Sequence, residues 1–165
     1  MPEPFRVLFV CTGNSARSQL AEALLNARGA GRFAAASAGS HPVGRVSRRA
    51  VAALGELGID WSGHTPRGLA GLEREPWDLV ITVCDHARQA CPVFTGAQAV
   101  AHWDLPDPVD ARGTDDEMRQ VFRRSRDTIA GLIERLIALP VEALAPRALA
   151  EQVGEIGTDL KRQSL

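Results

Sequence analysis

Small and polar residues fill the eight positions between the first apolar run and the first helix-forming stretch, Cys11-Thr12-Gly13-Asn14-Ser15-Ala16-Arg17-Ser18. A loop of this composition can turn successive backbone N–H groups inward, and the N-terminus of the following helix adds to them a site for a tetrahedral oxyanion. Arg17 contributes a permanently charged guanidinium with paired donors. The sequence therefore predicts an oxyanion-binding loop.

Cys11 stands where a nucleophile would meet the central atom of such an oxyanion. The positive field of the loop favours its thiolate, and Thr12, Ser15 and Ser18 offer hydroxyl groups to stabilise it. The alternative is a buried cysteine at a strand end beside a surface arginine, because a cysteine six residues before an arginine also occurs by chance. The strand before the loop and the helix after it favour the nucleophile.

Two further cysteines follow a second apolar run. Cys84 ends the run, and Cys91 comes seven residues later. Because ligands bind beyond the carboxyl ends of parallel strands, we expect Cys84 to lie near Cys11. The alternatives are unrelated buried thiols, or a zinc site with His86 and His102, whose spacing matches no common structural zinc pattern. We therefore expect no metal, and the odd number of cysteines argues against a structural disulfide framework.

A rigid acidic segment follows, Trp103-Asp104-Leu105-Pro106-Asp107-Pro108. Its prolines can hold a carboxylate in one place above a site, where it serves as a general acid if it lies within hydrogen-bond reach of the leaving oxygen. Asp104, Asp107 and Asp110 are the candidates. The alternative is a surface turn with an Asp-Pro signal.

Alternating strand and helix signals surround these segments. Strands are predicted at Phe5–Val10, 33–38, Trp77–Cys84 and Gln98–His102. Helices are predicted over Ser18–Arg28, after the N-cap Ser47, and after the capping box of Thr114 and Glu117. On this last helix an arginine cluster is predicted to lie mainly on the solvated polar face, namely Arg119, Arg123, Arg124 and Arg126, and docking of an acidic partner is the alternative. The alternation favours an α/β fold with a parallel sheet covered by helices on both faces.

Length and charge limit the function classes. The chain has 165 residues with 19 basic and 20 acidic side chains, so its net charge of −1 predicts no nucleic-acid partner. No apolar run approaches the roughly 20 residues that span a bilayer. The N-terminus has no signal-peptide pattern, and we expect a cytoplasmic protein without a membrane partner. One domain is predicted up to Pro140, followed by an extension, 141–165, with one amphipathic helix.

The segment from Val7 to Ser18 resembles the phosphate-binding loop of low-molecular-weight protein tyrosine phosphatases, and more closely that of the arsenate reductases sharing their fold. The resemblance covers about residues 5–138 and implies a three-layer α/β/α domain over 1–140. Its four-stranded parallel sheet would have the order 2-1-3-4. Residues 12–18 would bind the oxyanion, and the aspartate before proline, Asp107, would be the general acid.

The cysteine pair fits the thioredoxin-linked arsenate reductases. The resemblance implies that Cys11 attacks arsenate, that Cys84 then forms a disulfide with Cys11 as arsenite leaves, and that Cys91 takes over the disulfide. The electrons would come from thioredoxin or another thiol reductant, such as a mycothiol or glutathione system, without an organic cofactor. The alternatives are a phosphatase acting on aryl phosphates and a redox or oxyanion sensor without turnover. Weak phosphatase activity is expected for the reductase too.

Some members of the resembled group bind a monovalent cation. Asn14, Glu22 and Ser37 match their ligands, but Arg67 stands where they carry an aspartate. The charge of Arg67 can replace that of a cation, so a bound cation is not expected.

The low-molecular-weight tyrosine phosphatases also follow the Asp-Pro pair with aromatic residues. Val109 stands at that place here, which disfavours a tyrosine phosphatase.

Overall fold

The structure is a computed structural model that describes residues 3–84 and 93–163, with side chains described as far as residue 160. The strands of the described residues are β1 (Phe5–Cys11), β2 (Phe33–Gly39), β3 (Leu79–Thr82) and β4 (Val100–His102). Their α-helices are α1 (Arg17–Arg28), α2 (Arg48–Gly55), α3 (Asp115–Ala138) and α4 (Pro146–Gln163). Short 3₁₀ turns lie at Leu72–Arg74, Pro108–Asp110 and Val141–Ala143. Within these described ranges, no helix combines the length and apolarity needed to cross a bilayer.

The strands form one parallel sheet in the order β2-β1-β3-β4, which confirms the expected fold class and strand order. β1 is a central strand, and its Val7 lies opposite Ala35 of β2 and Leu79 of β3. Each residue of Val7–Val10 is fully buried. Because successive side chains of a strand point to opposite faces, both faces of β1 are covered. The carboxyl end of β1 thus carries Cys11 out of the middle of the sheet.

β3 is shorter than the predicted run Trp77–Cys84. At its start, the Asp78 carboxylate accepts a hydrogen bond from the Arg6 backbone N–H at 2.8 Å, and Trp77 reaches the sheet only through an isolated bridge with Ala97. At its end the ladder stops at Thr82. Cys84 therefore lies two residues beyond the last strand residue.

Both predicted helix caps are present. The Ser47 hydroxyl accepts from the Ala50 N–H at 3.4 Å, and Thr114 and Glu117 form a reciprocal capping box. These caps satisfy N–H groups that a helix start otherwise leaves without partners.

The prediction that the arginine cluster faces solvent was wrong for Arg126. Its side chain is buried, and its guanidinium donates to the Ala53 carbonyl and to Glu56, each at 2.8 Å, at the junction of α2 and α3. Arg123 donates to the same carboxylate from Nε at 2.9 and 3.0 Å. These hydrogen bonds, with Arg123 making the larger contribution, lower the pKa of Glu56 from 4.5 to about 2. Periodicity alone did not reveal that an arginine at the edge of the apolar face closes this junction.

α4 packs against β4 and α3 through its apolar face. Leu149, Val153 and Ile156 on this face are buried. The indole N–H of Trp103, just after β4, donates to the Val153 carbonyl at 2.8 Å. α4 thereby covers the residue at which the acidic segment begins.

Candidate functional site

The loop between β1 and α1 is held from outside through its carbonyl groups. The carbonyls of Cys11, Thr12, Gly13 and Ser15 accept from backbone N–H groups of the segment 40–47, at 2.8 to 3.0 Å. Gly39 permits this fit, because a Cβ there would lie 2.5 Å from the Thr12 oxygen. With these carbonyls turned outward, the inner side of the loop is left to its N–H groups.

The N-terminus of α1 faces the same loop. Its N-cap residue, Ala16, provides no side-chain hydrogen bond, and the first turn of the helix contains no acidic residue. The first N–H groups of such a helix remain available for an anion, and the helix dipole favours negative charge there. The predicted order of strand, loop and helix is present, and binding of an oxyanion there stays a prediction.

Asn14 braces the loop from beneath. It is fully buried and has a φ of 52°, a left-handed conformation that asparagine tolerates better than most residues. Its Nδ2 donates to Ser18 Oγ at 2.8 Å and to Ser37 Oγ at 2.9 Å. Its Oδ1 accepts from Gln19 Nε2 and from the Arg67 N–H, both at 2.9 Å. Each hydrogen-bonding group of the side-chain amide is therefore engaged.

Behind Asn14 lies a second brace, made by Gln19 and Trp61. Gln19 Nε2 also donates to the Asn14 carbonyl at 3.1 Å, and Gln19 Oε1 accepts from the Trp61 indole N–H at 2.9 Å. Both side chains are buried. The sequence analysis missed this pair, because a glutamine in the first turn of a helix is common and the tryptophan lies 42 residues away.

Cys11 Sγ has two partners in the loop. The Asn14 N–H donates to it at 3.2 Å, and Ser18 Oγ lies 2.8 Å away. Since Ser18 Oγ already accepts from Asn14 Nδ2, its own hydrogen can point to the sulfur. Donors of this kind stabilise a thiolate. Thr12 differs from the expectation, since its hydroxyl contacts Cys84 Sγ at 3.2 Å.

Arg17 is buried and joins the loop to the acidic segment. Its Nη1 donates to the Leu105 carbonyl at 3.1 Å, and its Nη2 forms an ion pair with Asp107 Oδ2 at 3.2 Å. Asp107 Oδ1 in turn accepts from the Val109 N–H at 3.1 Å. Among the three candidate carboxylates, Asp107 is the one paired with Arg17, whereas Asp110 is exposed.

The second cysteine lies against the loop, and the third lies outside the described residues. Cys84 is buried, and its contact with Thr12 brings it to the same end of the sheet as Cys11. Cys91 belongs to the segment 85–92, as does His86, so its predicted role stays a prediction. Within 3–84 and 93–160, no group of three histidine, cysteine, aspartate or glutamate side chains is arranged to hold a metal ion.

Comparison with known proteins identifies the family of this chain. Residues 6–145 match the family described as low molecular weight phosphotyrosine protein phosphatase. The chain belongs to this family. An arsenate reductase of Halalkalibacterium halodurans is 40% identical over 128 residues, which cover 78% of this chain and 91% of that protein. A glutaredoxin arsenate reductase of Synechocystis is 35% identical over 133 residues, covering 81% of this chain and 96% of that protein.

Solved structures agree with the family assignment. An arsenate reductase in its phosphate-binding state is 34% identical to this chain with a TM-score of 0.69, covering 81% of this chain and 97% of that one. The family match ends at Ala145, one residue before α4 begins. This helix is therefore an addition to the region that the family shares.

The residues matching a cation site in the family form a closed cluster here. Ser37 Oγ accepts from Asn14 and donates to Glu22 Oε1 at 2.6 Å, while Arg67 Nε donates to the Ser37 carbonyl at 3.1 Å. Burial raises the pKa of Glu22 above its usual 4.5, against the Ser37 hydrogen bond and the charge of Arg67, which lower it. The hydroxyl of Ser37 is thus engaged on both sides, and the positive charge of Arg67 already acts on the Glu22 carboxylate. This cluster does not fit a cation well.

Proposed function

We propose that this protein reduces arsenate to arsenite, as part of arsenic detoxification, through a relay of Cys11, Cys84 and Cys91. The observation that carries the proposal is the contact between Cys84 Sγ and Thr12 Oγ1 at 3.2 Å. Through this contact a second buried thiol lies beside the oxyanion loop. Hydrolysis of a phosphate ester does not require such a thiol. Relatives of 35–40% identity bear the name arsenate reductase.

In the first step, the loop amides and Arg17 bind arsenate, and the Cys11 thiolate attacks arsenic. A sulfur–arsenic bond forms, and an arsenic–oxygen bond breaks. The departing oxygen is the hydroxyl of hydrogen arsenate, and one proton from Asp107 lets it leave as water. Bound arsenate competes with Asp107 for the Arg17 guanidinium, so binding frees the carboxyl group that the step needs.

In the second step, the Cys84 thiolate attacks Cys11 Sγ. A Cys11–Cys84 disulfide forms while the sulfur–arsenic bond breaks, and the electron pair of that bond stays on arsenic. Arsenic is thereby reduced from the +5 to the +3 state, two thiols are oxidised, and arsenite leaves. Cys84 and Cys11 need a sulfur–sulfur distance of about 2 Å in the product.

In the third step, Cys91 attacks Cys84 and releases the Cys11 thiolate. The Cys84–Cys91 disulfide is then reduced by two electrons from an external thiol reductant. We propose thioredoxin for this task; glutaredoxin, glutathione or mycothiol are the competing reductants. The chain's own residues perform each step, and we propose no metal or organic cofactor.

The decisive experiment compares three proteins under two assays. Wild type, Cys84→Ser and Cys91→Ser are given arsenate, thioredoxin, thioredoxin reductase and NADPH, and separately an aryl phosphate without reductant. We expect continuous NADPH oxidation for wild type, one arsenite per molecule for Cys91→Ser and none for Cys84→Ser. All three should cleave the aryl phosphate equally, because that reaction needs only Cys11, Arg17 and Asp107.

Two outcomes contradict the proposal. If wild type hydrolyses the phosphate ester but never consumes NADPH with any of the four reductants, the protein is a phosphatase. If it forms the Cys84–Cys91 disulfide with oxidants and turns over neither substrate, it is a sensor.

A further inference from the structure

Helix α4 contacts Trp103, the first residue of the acidic segment that continues to Asp107. Trp103 is fully buried, and its indole N–H donates to the Val153 carbonyl of α4 at 2.8 Å. Its ring also packs against Phe9 of the central strand, with ring centroids 6.1 Å apart. Trp103 is thus fixed between the sheet and a helix that the family region does not include.

The fit between α4 and Trp103 depends on a glycine. A Cβ at Gly157 would lie 2.8 Å from Trp103 Cδ1 and 3.4 Å from its Cα, so either the ring or the helix would have to move. A Cβ at Gly154, one turn earlier, would meet no side chain and no backbone of another element within 4 Å. Two glycines of one helix therefore differ in the feature that matters, namely contact with Trp103.

Trp103 is also the first residue of the segment that holds Arg17. The Trp103 N–H donates to the Thr82 carbonyl at 2.8 Å, which fixes the start of the segment to the sheet. Two residues later, the Leu105 carbonyl accepts from Arg17 Nη1 at 3.1 Å, and Asp107 pairs with Nη2. A displacement of Trp103 is therefore passed over two residues to the carbonyl that orients the guanidinium.

We propose that α4 positions the oxyanion site, with Trp103 and Gly157 as positioning residues for Arg17 and Asp107. The inference rests on the proposed function only for the choice of reaction, since Arg17 would orient any tetrahedral oxyanion. A helix that merely covered the edge strand would stabilise the fold without affecting anion affinity. Positioning instead predicts that the α4 contact and the anion are coupled in both directions.

The test uses a matched pair of substitutions in the full chain, Gly157→Ala and Gly154→Ala. Both gain the same helix propensity, but only the first presses on Trp103. Inorganic phosphate, which has the shape and charge of arsenate, is the probe, and its dissociation constant is measured by calorimetry. A misplacement of about 1 Å can cost about a hundredfold in function, and a smaller displacement costs less. We therefore expect about tenfold weaker phosphate binding for Gly157→Ala and a change below about twofold for Gly154→Ala.

A second measurement keeps the test decisive if Gly157→Ala is poorly folded. The indole N–H resonance of Trp103 is assigned by its loss in Trp103→Phe and followed while phosphate is added to the wild type. We expect it to shift in saturable fashion, and we expect Trp103→Phe to bind phosphate several-fold more weakly. A resonance that does not respond, or equal phosphate affinity for both glycine variants when folded, overturns the inference.

The two proposals fail separately. If wild type does not reduce arsenate but phosphate binding depends on Gly157, the proposed reaction is wrong and the positioning role stands. If wild type reduces arsenate while the three variants bind phosphate as wild type does, the reaction stands and the positioning role is wrong.

Discussion

Replacement of Gln19 by methionine tests the brace behind the oxyanion loop. Methionine has a similar length and volume, so the core stays filled, but three hydrogen bonds are lost. Asn14 Oδ1 keeps the Arg67 N–H as a partner. The Asn14 carbonyl and the buried Trp61 indole N–H each lose the hydrogen bond that they make with Gln19. A buried group left unsatisfied costs about 1–3 kcal/mol. Two such groups predict a loss of about 2–6 kcal/mol in the free energy of unfolding.

Thermal and denaturant unfolding measure this loss. For a chain of this size each kcal/mol lost lowers Tm by about 2–4 °C, so Gln19→Met should lower Tm by about 4–24 °C. Gln120→Met, at an exposed position of α3, is the control and should stay within about 0.5 kcal/mol of wild type. Combining Gln19→Met with Trp61→Phe should cost less than the sum of the single losses, because both remove the same bond.

A Gln19→Met variant as stable as its control, or strict additivity with Trp61→Phe, would refute the brace. Its effect on the loop has a separate readout, since phosphate binding should weaken along with stability. If stability falls and binding does not, Gln19 supports the core without shaping the loop.

Three further predictions concern Gly39, Glu56 and Arg67. Gly39→Ala places a Cβ 2.5 Å from the Thr12 oxygen, so it should lower the free energy of unfolding by about 1–3 kcal/mol and weaken phosphate binding; unchanged binding would show that the loop tolerates the shift. The pKa of Glu56 is about 2 in the fold and ordinarily 4.5, so Glu56 stabilises the protein fully above about pH 4.5 and less as the pH falls toward 2. Glu56→Gln should therefore flatten the dependence of the free energy of unfolding on pH across that range. Urea unfolding at several pH values measures this dependence, and a variant with the same dependence as wild type contradicts the prediction. Arg67 supplies the positive charge near Glu22, so arsenate turnover should be equal in potassium and sodium chloride; a specific activation by potassium would reveal a cation site.

Local sequence patterns predicted the buried strands and the loop after β1, whereas the strand order came from the family resemblance. The apolar runs at β1 and β3 marked buried parallel strands, and their carboxyl ends had to meet at one edge of the sheet. That rule placed Cys84 near Cys11 in advance. Family resemblance, rather than pattern, singled out Asp107 among three aspartates, and the structure pairs it with Arg17.

The contacts that support the loop were beyond sequence analysis. Gln19 meets Trp61 across 42 residues, Arg67 meets Asn14 across 53, and Trp103 meets Val153 across 50. Each is a side-chain bond made only once the chain has folded, and periodicity reports which face is buried but not which polar groups share it. The Thr12 hydroxyl is similar, because its rotation toward Cys84 depends on where β3 ends.

The position of Cys11 at the end of a central strand means that, in the proposed relay, one sulfur stays fixed and the other moves. The Val10 carbonyl accepts from the Val83 N–H at 2.8 Å, and the Cys11 carbonyl accepts from the Ser40 N–H at 3.0 Å. Moving Cys11 would open the sheet at its middle, where amide hydrogens exchange most slowly. Cys84 lies beyond Thr82, the last ladder residue of β3. In the proposed relay, Cys84 is therefore the residue that moves when the two sulfurs approach each other. If the proposed relay operates, the oxyanion loop therefore keeps its shape through the redox cycle and can bind a new anion as soon as Cys11 is released.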